Sequence, residues 1–304
     1  MSKKIIFAHE SVSDLAKTID DLMDAELGSI SWEKFGDGWP ELFINQADEI
    51  RNKDIVFVAN FAKPETLFEQ FAIIYSLPRH FVRSLRVIVL FYPVGTMERV
   101  DTYGDIATAE TMARMISATP MTQTGPVIFS IFDIHALQGQ FYFSDKILPE
   151  LVSAIPLLKE RIKSIENLAI AFPDDGAYKR FGKMFPEYPH IICNKVRMSD
   201  GEKIVTIKEG AVEGKHVIII DDLVQTGGTL LECREVLLHS GAKEVSAYAT
   251  HGVFPKDSWK NFLPNLFSHI WITDSCPDTI KKISAEKEFE ILSLAPSIAE
   301  IIKD

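Results

Sequence analysis

The sequence has few cysteines, no long hydrophobic run and no excess of positive charge. Its three cysteines (Cys193, Cys233 and Cys276) are odd in number and far apart in sequence. This argues against a disulfide framework or a CxxC metal site, and it predicts buried thiols in a reducing cytoplasm. The longest apolar run, 87–94, is too short to span a bilayer, and the N-terminus has no secretory pattern. A formal charge of −11 argues against a nucleic-acid or membrane-surface binder.

The composition is that of an ordinary globular protein, and the length of the chain is sufficient for two domains. The 304 residues are 46% hydrophobic and 25% charged. Short β-branched runs, such as 55–59, alternate with amphipathic stretches, which predicts a doubly wound α/β architecture with mostly parallel sheets. This alternation of predicted strands and helices is interrupted near residue 150 and then resumes. We therefore predict two similar domains, 1–150 and 151–304.

Local signals set a few element boundaries. Asp105 is placed to cap a helix over 106–118. The strongly apolar strand 216–220 ends directly before Asp221 and Asp222. The segment 194–214, rich in charge and glycine, is the loosest part of the chain, although Ile204 and Val205 within it are predicted to belong to a weaker strand.

The strongest motif follows that strand. Asp221 and Asp222 precede a turn that opens a helix, with the sequence Thr226, Gly227, Gly228, Thr229. Ligands of open α/β sheets bind at the carboxyl ends of strands, and glycines let backbone N–H groups approach a phosphate at a helix N-terminus. The two carboxylates are placed to accept hydrogen bonds from sugar hydroxyls. The pattern predicts a sugar-phosphate cradle; the alternative is a capped helix after a core strand.

Other polar positions are less specific. Asp133 and His135 follow the predicted strand 127–132 and could hold a divalent metal, although a structural histidine is the usual case. Asp174 and Asp175 end another predicted strand, where acidic pairs are often surface caps. Lys195 and Arg197 alternate, so in an extended chain they face the same way and could stabilise phosphate charge; a solvated loop is the alternative.

These motifs together resemble a known family. Residues 221–229 look like the phosphoribosyl pyrophosphate (PRPP) loop of type I phosphoribosyltransferases and PRPP synthetases. The blocks 133–135, 174–180 and 250–254 are similar to the synthetases specifically. Four further blocks resemble the plant-type, class II synthetases: 104–109, 141–143, 171–176 and 271–277.

The resemblance implies two type I phosphoribosyltransferase-like domains, with an ATP side in the first and a ribose 5-phosphate side in the second. It implies transfer of the β,γ-pyrophosphoryl group of ATP to O1 of ribose 5-phosphate, with Mg²⁺, in a homo-oligomer. The residues it assigns are Lys195 and Arg197 for catalysis; Phe35, Asp37, Arg99 and His135 for ATP; Asp221, Asp222, Thr226, Gly227, Gly228 and Thr229 for ribose 5-phosphate; and Asp133, His135 and Asp174 for the metal.

Two other functions stay open at this point. A phosphoribosyltransferase that consumes PRPP would share the 221–229 loop, and a silent paralogue could serve as a regulatory partner. Arg99 could also be a surface residue paired with Glu98 or Asp101. Within the resemblance, class II membership implies activity without inorganic phosphate and the use of several nucleoside triphosphates, and Trp39-Pro40 interrupts the motif on the adenine side.

Overall fold

A computed structural model describes residues 3–197 and 203–303, with the backbone alone described at 195–197 and 203–204. The chain divides into two compact units: Met1–Ser153 together with Ser293–Asp304, and Ala154–Leu292. The first division lies three residues beyond the predicted boundary at 150. The last twelve residues belong to the first unit, whereas the sequence analysis placed them in the second domain.

The first unit is built on a parallel six-stranded sheet in the order β2-β1-β5-β6-β7-β8, with a separate antiparallel hairpin of β3 and β4. Its inner strands are mostly apolar, as expected for a parallel sheet covered on both faces, although Arg86 on β6 and Ser130 on β7 are polar. The strands are β1 (Ile5–Ala8), β2 (Glu26–Leu27), β3 (Ile30–Lys34), β4 (Pro40–Ile44), β5 (Asp54–Ala59), β6 (Ser84–Val89), β7 (Val127–Phe132) and β8 (Ile147–Val152). The helices before residue 153 are α1 (Ser13–Met23), α2 (Leu67–Ser76) and α3 (Thr108–Ser117).

The second unit holds a seven-stranded sheet in the order β11-β10-β9-β12-β13-β14-β15, parallel except for the antiparallel β10–β11 pair. Its strands are β9 (Leu168–Phe172), β10 (His190–Arg197), β11 (Lys203–Glu209), β12 (His216–Val224), β13 (Glu244–Gly252), β14 (Ile270–Thr273) and β15 (Phe289–Leu292). Its helices are α4 (Ile155–Ile162), α5 (Asp175–Phe181), α6 (Gly228–His239) and α7 (Pro277–Ile283). The last helix, α8 (Ala295–Lys303), returns to the first unit, where it packs on α1.

The predicted doubly wound α/β class is confirmed, and β7 coincides with the predicted strand 127–132. Two boundaries were wrong. The strand at 216–220 extends to Val224, because its last residues continue the pairing with β13, as Leu223 does with His251. The helix predicted at 106–118 begins at Thr108, and Asp105 does not cap it: that carboxylate accepts a hydrogen bond from the Thr102 N–H instead, at 2.8 Å.

The segment predicted as loosest, 194–214, includes the end of β10 and all of β11. The β-branched run 204–207 supplies the strand propensity, and Val205 is buried in the core. Within the described part of the chain, every helix is too short or too polar to cross a bilayer.

Candidate active site

The carboxyl edge of the second sheet holds the acidic pair of β12. Asp222 is almost fully buried, with a side chain only 1% exposed, and its Oδ1 lies 2.6 Å from Nη1 of Arg180. Arg180 extends from α5, and its side chain is 10% exposed. The Asp222 N–H donates to Oδ1 of Asp221 at 2.9 Å. The pair is therefore fixed by a buried cation and by its own backbone.

The two carboxyl groups affect each other's charge. Desolvation raises the pKa of the Asp221 carboxyl well above its ordinary value, and the adjacent charge of Asp222 raises it further. Arg180 opposes this shift. Asp221 remains partly exposed, whereas Asp222 does not, so Asp221 presents the more accessible oxygens to a ligand.

The loop after β12 is shaped by Gly227. Its φ is +86°, and a Cβ at this position would lie 2.3 Å from the ring of Phe262. No other residue type fits there without displacing that ring. At Gly228, by contrast, a Cβ would meet only side-chain tips at 3.9 Å or beyond. The first N–H groups of α6 follow this loop, and they have no acceptor within the helix.

Neighbouring segments support the loop and the strand ends. The Gln225 carbonyl accepts a hydrogen bond from Ser258 Oγ at 2.7 Å, and the Thr226 carbonyl accepts one from Asn261 Nδ2 at 3.2 Å. Beyond β13 and β14, Ser275 Oγ donates to the Thr250 carbonyl at 3.1 Å and lies 2.9 Å from Nδ1 of His251. The blocks 250–254 and 271–277, singled out in the sequence, thus join two adjacent strand ends.

Asp174 follows β9, the strand beside β12, so it reaches the same sheet edge. It caps α5: its Oδ1 accepts a hydrogen bond from the Ala177 N–H at 2.8 Å. The cap leaves Oδ2 without a partner among the described residues, and the residue is exposed. Asp175 is instead paired with Lys208 at 2.8 Å, which lowers the pKa of the Asp175 carboxyl.

Lys195 and Arg197 lie on β10, the strand on the other side of β9. Its last parallel pair joins Ile192 to Phe172, so β10 continues beyond that edge of the sheet. The register with β11 then shifts between Ile192 and Cys193. The sequence analysis placed Lys195 and Arg197 at the start of the loosest segment, whereas the backbone of both residues belongs to strand β10; the positions of their side chains lie outside the described structure.

The first unit carries the predicted residues that follow β7. Asp133 is buried and has a φ of +34°, an unusual backbone conformation for this residue type. Its N–H donates to the Val152 carbonyl at 2.9 Å. His135 is partly buried, and Gly95 lies against it: a Cβ at Gly95 would be 3.3 Å from that of His135. The loop after β6 is thereby held beside the histidine.

Phe35 and Asp37 occupy the tip of the β3–β4 hairpin. Phe35 is 52% exposed, so its ring lies in solvent rather than in the core. Asp37 Oδ1 accepts a hydrogen bond from the Trp39 N–H at 3.2 Å. Arg99 is exposed, with its Nε 3.1 Å from Oε1 of Glu98, which is the surface pairing left open by the sequence.

The structure thus brings three of the predicted groups to one edge: Asp174, the acidic pair of β12 and the backbone of β10. Sequence reasoning missed the role of Arg180. The sequence gives little indication of this role, because the contact between Arg180 and the buried Asp222 depends on how α5 packs against the sheet. Among the described residues, no three histidine, cysteine or acidic side chains cluster to hold a metal.

The parallel α/β sheets, with the acidic end of β12 and the glycine turn that opens α6, give the chain a phosphoribosyltransferase-type fold. The solved structure of phosphoribosylpyrophosphate synthetase from Mycobacterium smegmatis has the same fold, with a TM-score of 0.81 at 22% identity over 99% of this chain and 98% of that one. Family models match in both halves: the N-terminal domain of ribose phosphate pyrophosphokinase over residues 4–119, and the phosphoribosyl synthetase-associated domain over 195–304.

Curated relatives give the more specific result. The chain is 50% identical to ribose-phosphate pyrophosphokinase 3, chloroplastic, of Arabidopsis thaliana over 99% of its own length and 76% of that protein. It is 51% identical to ribose-phosphate pyrophosphokinase 4 of the same plant, over 91% and 85%. The chain belongs to the ribose-phosphate pyrophosphokinase family, and the resemblance to its plant-type members is confirmed.

Proposed function

We propose that this chain is an active PRPP synthetase that transfers the β,γ-pyrophosphoryl group of ATP to O1 of ribose 5-phosphate and releases AMP. The observation that carries the proposal is the preformed edge of β12, where an acidic pair, a glycine turn and the start of α6 adjoin. That edge supplies the groups a phosphorylated sugar needs, and the relatives' names supply the reaction.

The second unit binds ribose 5-phosphate. The N–H groups at Gly227 and Gly228 and the hydroxyls of Thr226 and Thr229 receive the 5-phosphate, where the helix N-terminus favours negative charge. Asp221 accepts hydrogen bonds from the ribose hydroxyls. Asp222, held by Arg180, keeps that arrangement rigid, so O1 is presented without a large reorganisation of the protein.

Lys195 and Arg197 stabilise the charge that develops as the bond between the α- and β-phosphates breaks. Phosphoryl-type transfer depends on positioning and electrostatics more than on covalent chemistry, so cations at this point have a large effect on rate. His135 and Arg99 contact the triphosphate, and Phe35 and Asp37 recognise adenine. Phe35 has the exposed face that stacking on a base requires.

The predicted metal-binding residues suit a Mg²⁺ ion that would take some of its ligands from the substrate phosphates. It is usually held by one or two carboxylates, with water and substrate phosphates completing the octahedron, so a three-residue protein cluster is not required. Asp174 has a carboxylate oxygen available at the β9 edge, and Asp133 and His135 are its counterparts in the first unit. When bound, the ion neutralises the phosphate oxygens and orients the triphosphate for attack.

The homo-oligomer and the cytoplasmic location stay predictions. Adenine contacts shared between copies require at least a dimer. The relatives' names include chloroplastic and mitochondrial forms, so the compartment of this chain needs its own measurement.

The test separates the three functions considered from the sequence. Purified protein is incubated with ATP, Mg²⁺ and ribose 5-phosphate, and nucleotides and PRPP are quantified by chromatography. We expect AMP and PRPP in equal amounts, with none formed when ribose 5-phosphate is omitted. A second reaction with PRPP and a nucleobase checks for phosphoribosyl transfer. Nucleotide formation there, without AMP in the first reaction, would overturn the proposal, as would inactivity in both.

A further inference from the structure

Two cysteines of the second unit meet in its core although the sequence separates them widely. Cys193 lies on β10 and Cys233 on α6, and their Sγ atoms are 3.2 Å apart. Both side chains are fully buried in the apolar layer between the sheet and α6. A disulfide needs an S–S distance of about 2.05 Å, so the two sulfurs are about 1 Å from bonding distance.

The position of this pair matters because of what each element carries. Cys193 follows the last parallel pair between β10 and β9, at the point where the register with β11 shifts. It is therefore the base from which the hairpin bearing Lys195 and Arg197 leaves the sheet. Cys233 lies in the second turn of α6, the helix that begins at Gly228 in the proposed sugar-phosphate loop.

We propose that Cys193 and Cys233 form an oxidisable dithiol, in which a peroxide converts the two thiols to a disulfide that fixes the base of the β10–β11 hairpin to α6 and slows turnover. The effect on turnover rests on the proposed function, whereas disulfide formation does not.

The chemistry is balanced by the peroxide alone. The Cys193 thiolate attacks one oxygen of hydrogen peroxide, the O–O bond breaks, and a sulfenic acid and hydroxide form. The Cys233 sulfur then attacks the sulfenic sulfur, the S–S bond forms, and the S–O bond breaks to release water. Two thiols and one peroxide thus give one disulfide and two waters.

The hydrogen bond between the two thiols assigns the first attack to Cys193. The Cys233 thiol donates to it, which lowers the pKa of the Cys193 thiol and increases its thiolate fraction. Both thiols are fully buried, so we expect a small peroxide to oxidise them and a glutathione-sized disulfide to leave them reduced. The third cysteine provides a contrast, since burial raises the pKa of Cys276 to about 12.

The experiment treats the full-length protein with hydrogen peroxide, then blocks residual thiols under denaturing conditions and maps the peptides by mass spectrometry. We expect a linked peptide pair containing Cys193 and Cys233, and a loss of two hydrogen masses. Turnover should fall at least about tenfold and recover with dithiothreitol. Oxidised glutathione at the same concentration should have no effect.

Three variants provide the controls, each checked by thermal unfolding. Cys193→Ala and Cys233→Ala should keep their activity in peroxide, while Cys276→Ala should lose it as the wild type does. Equal inactivation of all three variants would overturn the proposal. So would oxidation that stops at a single cysteine, or a Cys193–Cys233 disulfide without any loss of turnover. The mapped linkage does not depend on activity, so a failure here is distinguishable from a failure of the proposed reaction.

Discussion

The β12 edge of the second unit and the β3–β4 hairpin of the first hold their candidate binding groups in opposite ways. At the β12 edge, Asp222 is 1% exposed and compensated by a buried arginine, and Gly227 is locked against an aromatic ring. At the hairpin tip, Phe35 is 52% exposed, and Asp37 bonds only within its own turn among the described residues. If the proposed roles are correct, the comparison predicts that the sugar-phosphate site is preorganised and that the adenine contacts form when the nucleotide binds.

The largest effect is expected at Lys195 and Arg197, which belong to neither side of this comparison and act on both substrates. Each single alanine variant should lower kcat by about 10²–10³, because a charge-stabilising donor is lost, with a smaller change in KM. Initial rates at saturating ATP and ribose 5-phosphate measure this. Lys208→Ala, on β11 of the same hairpin, is the control. Wild-type turnover in either variant would show that the residue is a solvent-exposed strand residue without a role in catalysis.

Gly227→Ala tests the rigidity of the preorganised side. Its Cβ would collide with Phe262 and displace the loop, so kcat/KM for ribose 5-phosphate should fall about 10²-fold. Gly214→Ala is a matched control: it has a positive φ of +71° but open space around a Cβ. The control should lose some thermal stability and little activity. Equal losses of activity would attribute the effect to backbone strain rather than to the cradle.

Phe35→Ala tests the exposed side. Loss of base stacking should raise KM for ATP about tenfold and leave KM for ribose 5-phosphate unchanged, since one stacked base contributes about 1–3 kcal/mol. Phe43→Ala, an exposed aromatic of the same hairpin at 64% exposure, should change neither constant. If ribose 5-phosphate KM rises with that of ATP, the two regions are not functionally separate.

The raised pKa of Asp221 predicts a pH dependence of stability. A carboxyl with a folded-state pKa above its unfolded value favours folding when protonated, and that stability is lost as pH rises through the folded-state pKa. Asp221→Asn stays neutral, so its Tm should exceed that of the wild type at neutral pH, and the gap should close in acid.

Asp175→Asn should show the opposite pH dependence of stability in the same measurement. Lys208 lowers the pKa of Asp175, so its contribution is present above the unfolded pKa and is lost as pH falls. Here the wild type should be slightly more stable at neutral pH. Thermal unfolding from pH 4 to pH 8 compares both variants. A gap for Asp221→Asn that widens in acid would contradict the environment assigned to the acidic pair.

The smallest effect is expected from inorganic phosphate. The plant-type resemblance implies a site that needs no phosphate-stabilised interface, so added phosphate should change the rate less than about twofold, and GTP or CTP should replace ATP appreciably. Initial rates in a non-phosphate buffer at fixed free Mg²⁺ measure this. A rate near zero that rises steeply with phosphate would place the chain with class I enzymes, although the reaction would stand.

The sequence predicts what depends on local pattern. Strand β7 follows from its apolar residues, and the loop at 226–229 follows from its glycines and the acidic pair before it. It does not predict what depends on packing between distant elements. The Arg180–Asp222 ion pair and the Cys193–Cys233 contact each join residues on separate elements, and neither leaves a periodic signal.

The same distinction explains the errors. Asp105 has the residue type of an N-cap, but the turn at Thr102 uses its carboxylate. The segment 194–214 has a loop-like composition overall, so the strand predicted at Ile204 and Val205 is shorter than the observed one, which pairs with β10 from Lys203 to Glu209. The strand predicted at 216–220 ends too early, because the pairing of Leu223 with His251 continues it past the acidic pair.

The most direct test of the central claim follows the phosphorus atoms of ATP. Two reactions with ribose 5-phosphate and Mg²⁺ are run in parallel, one with ATP labelled at the γ-phosphate and one with ATP labelled at the α-phosphate. The account predicts that the γ-label appears in PRPP and the α-label in AMP, at equal rates. Transfer of the γ-label with ADP as the second product, or no transfer of label to ribose 5-phosphate, would contradict pyrophosphoryl transfer by this chain.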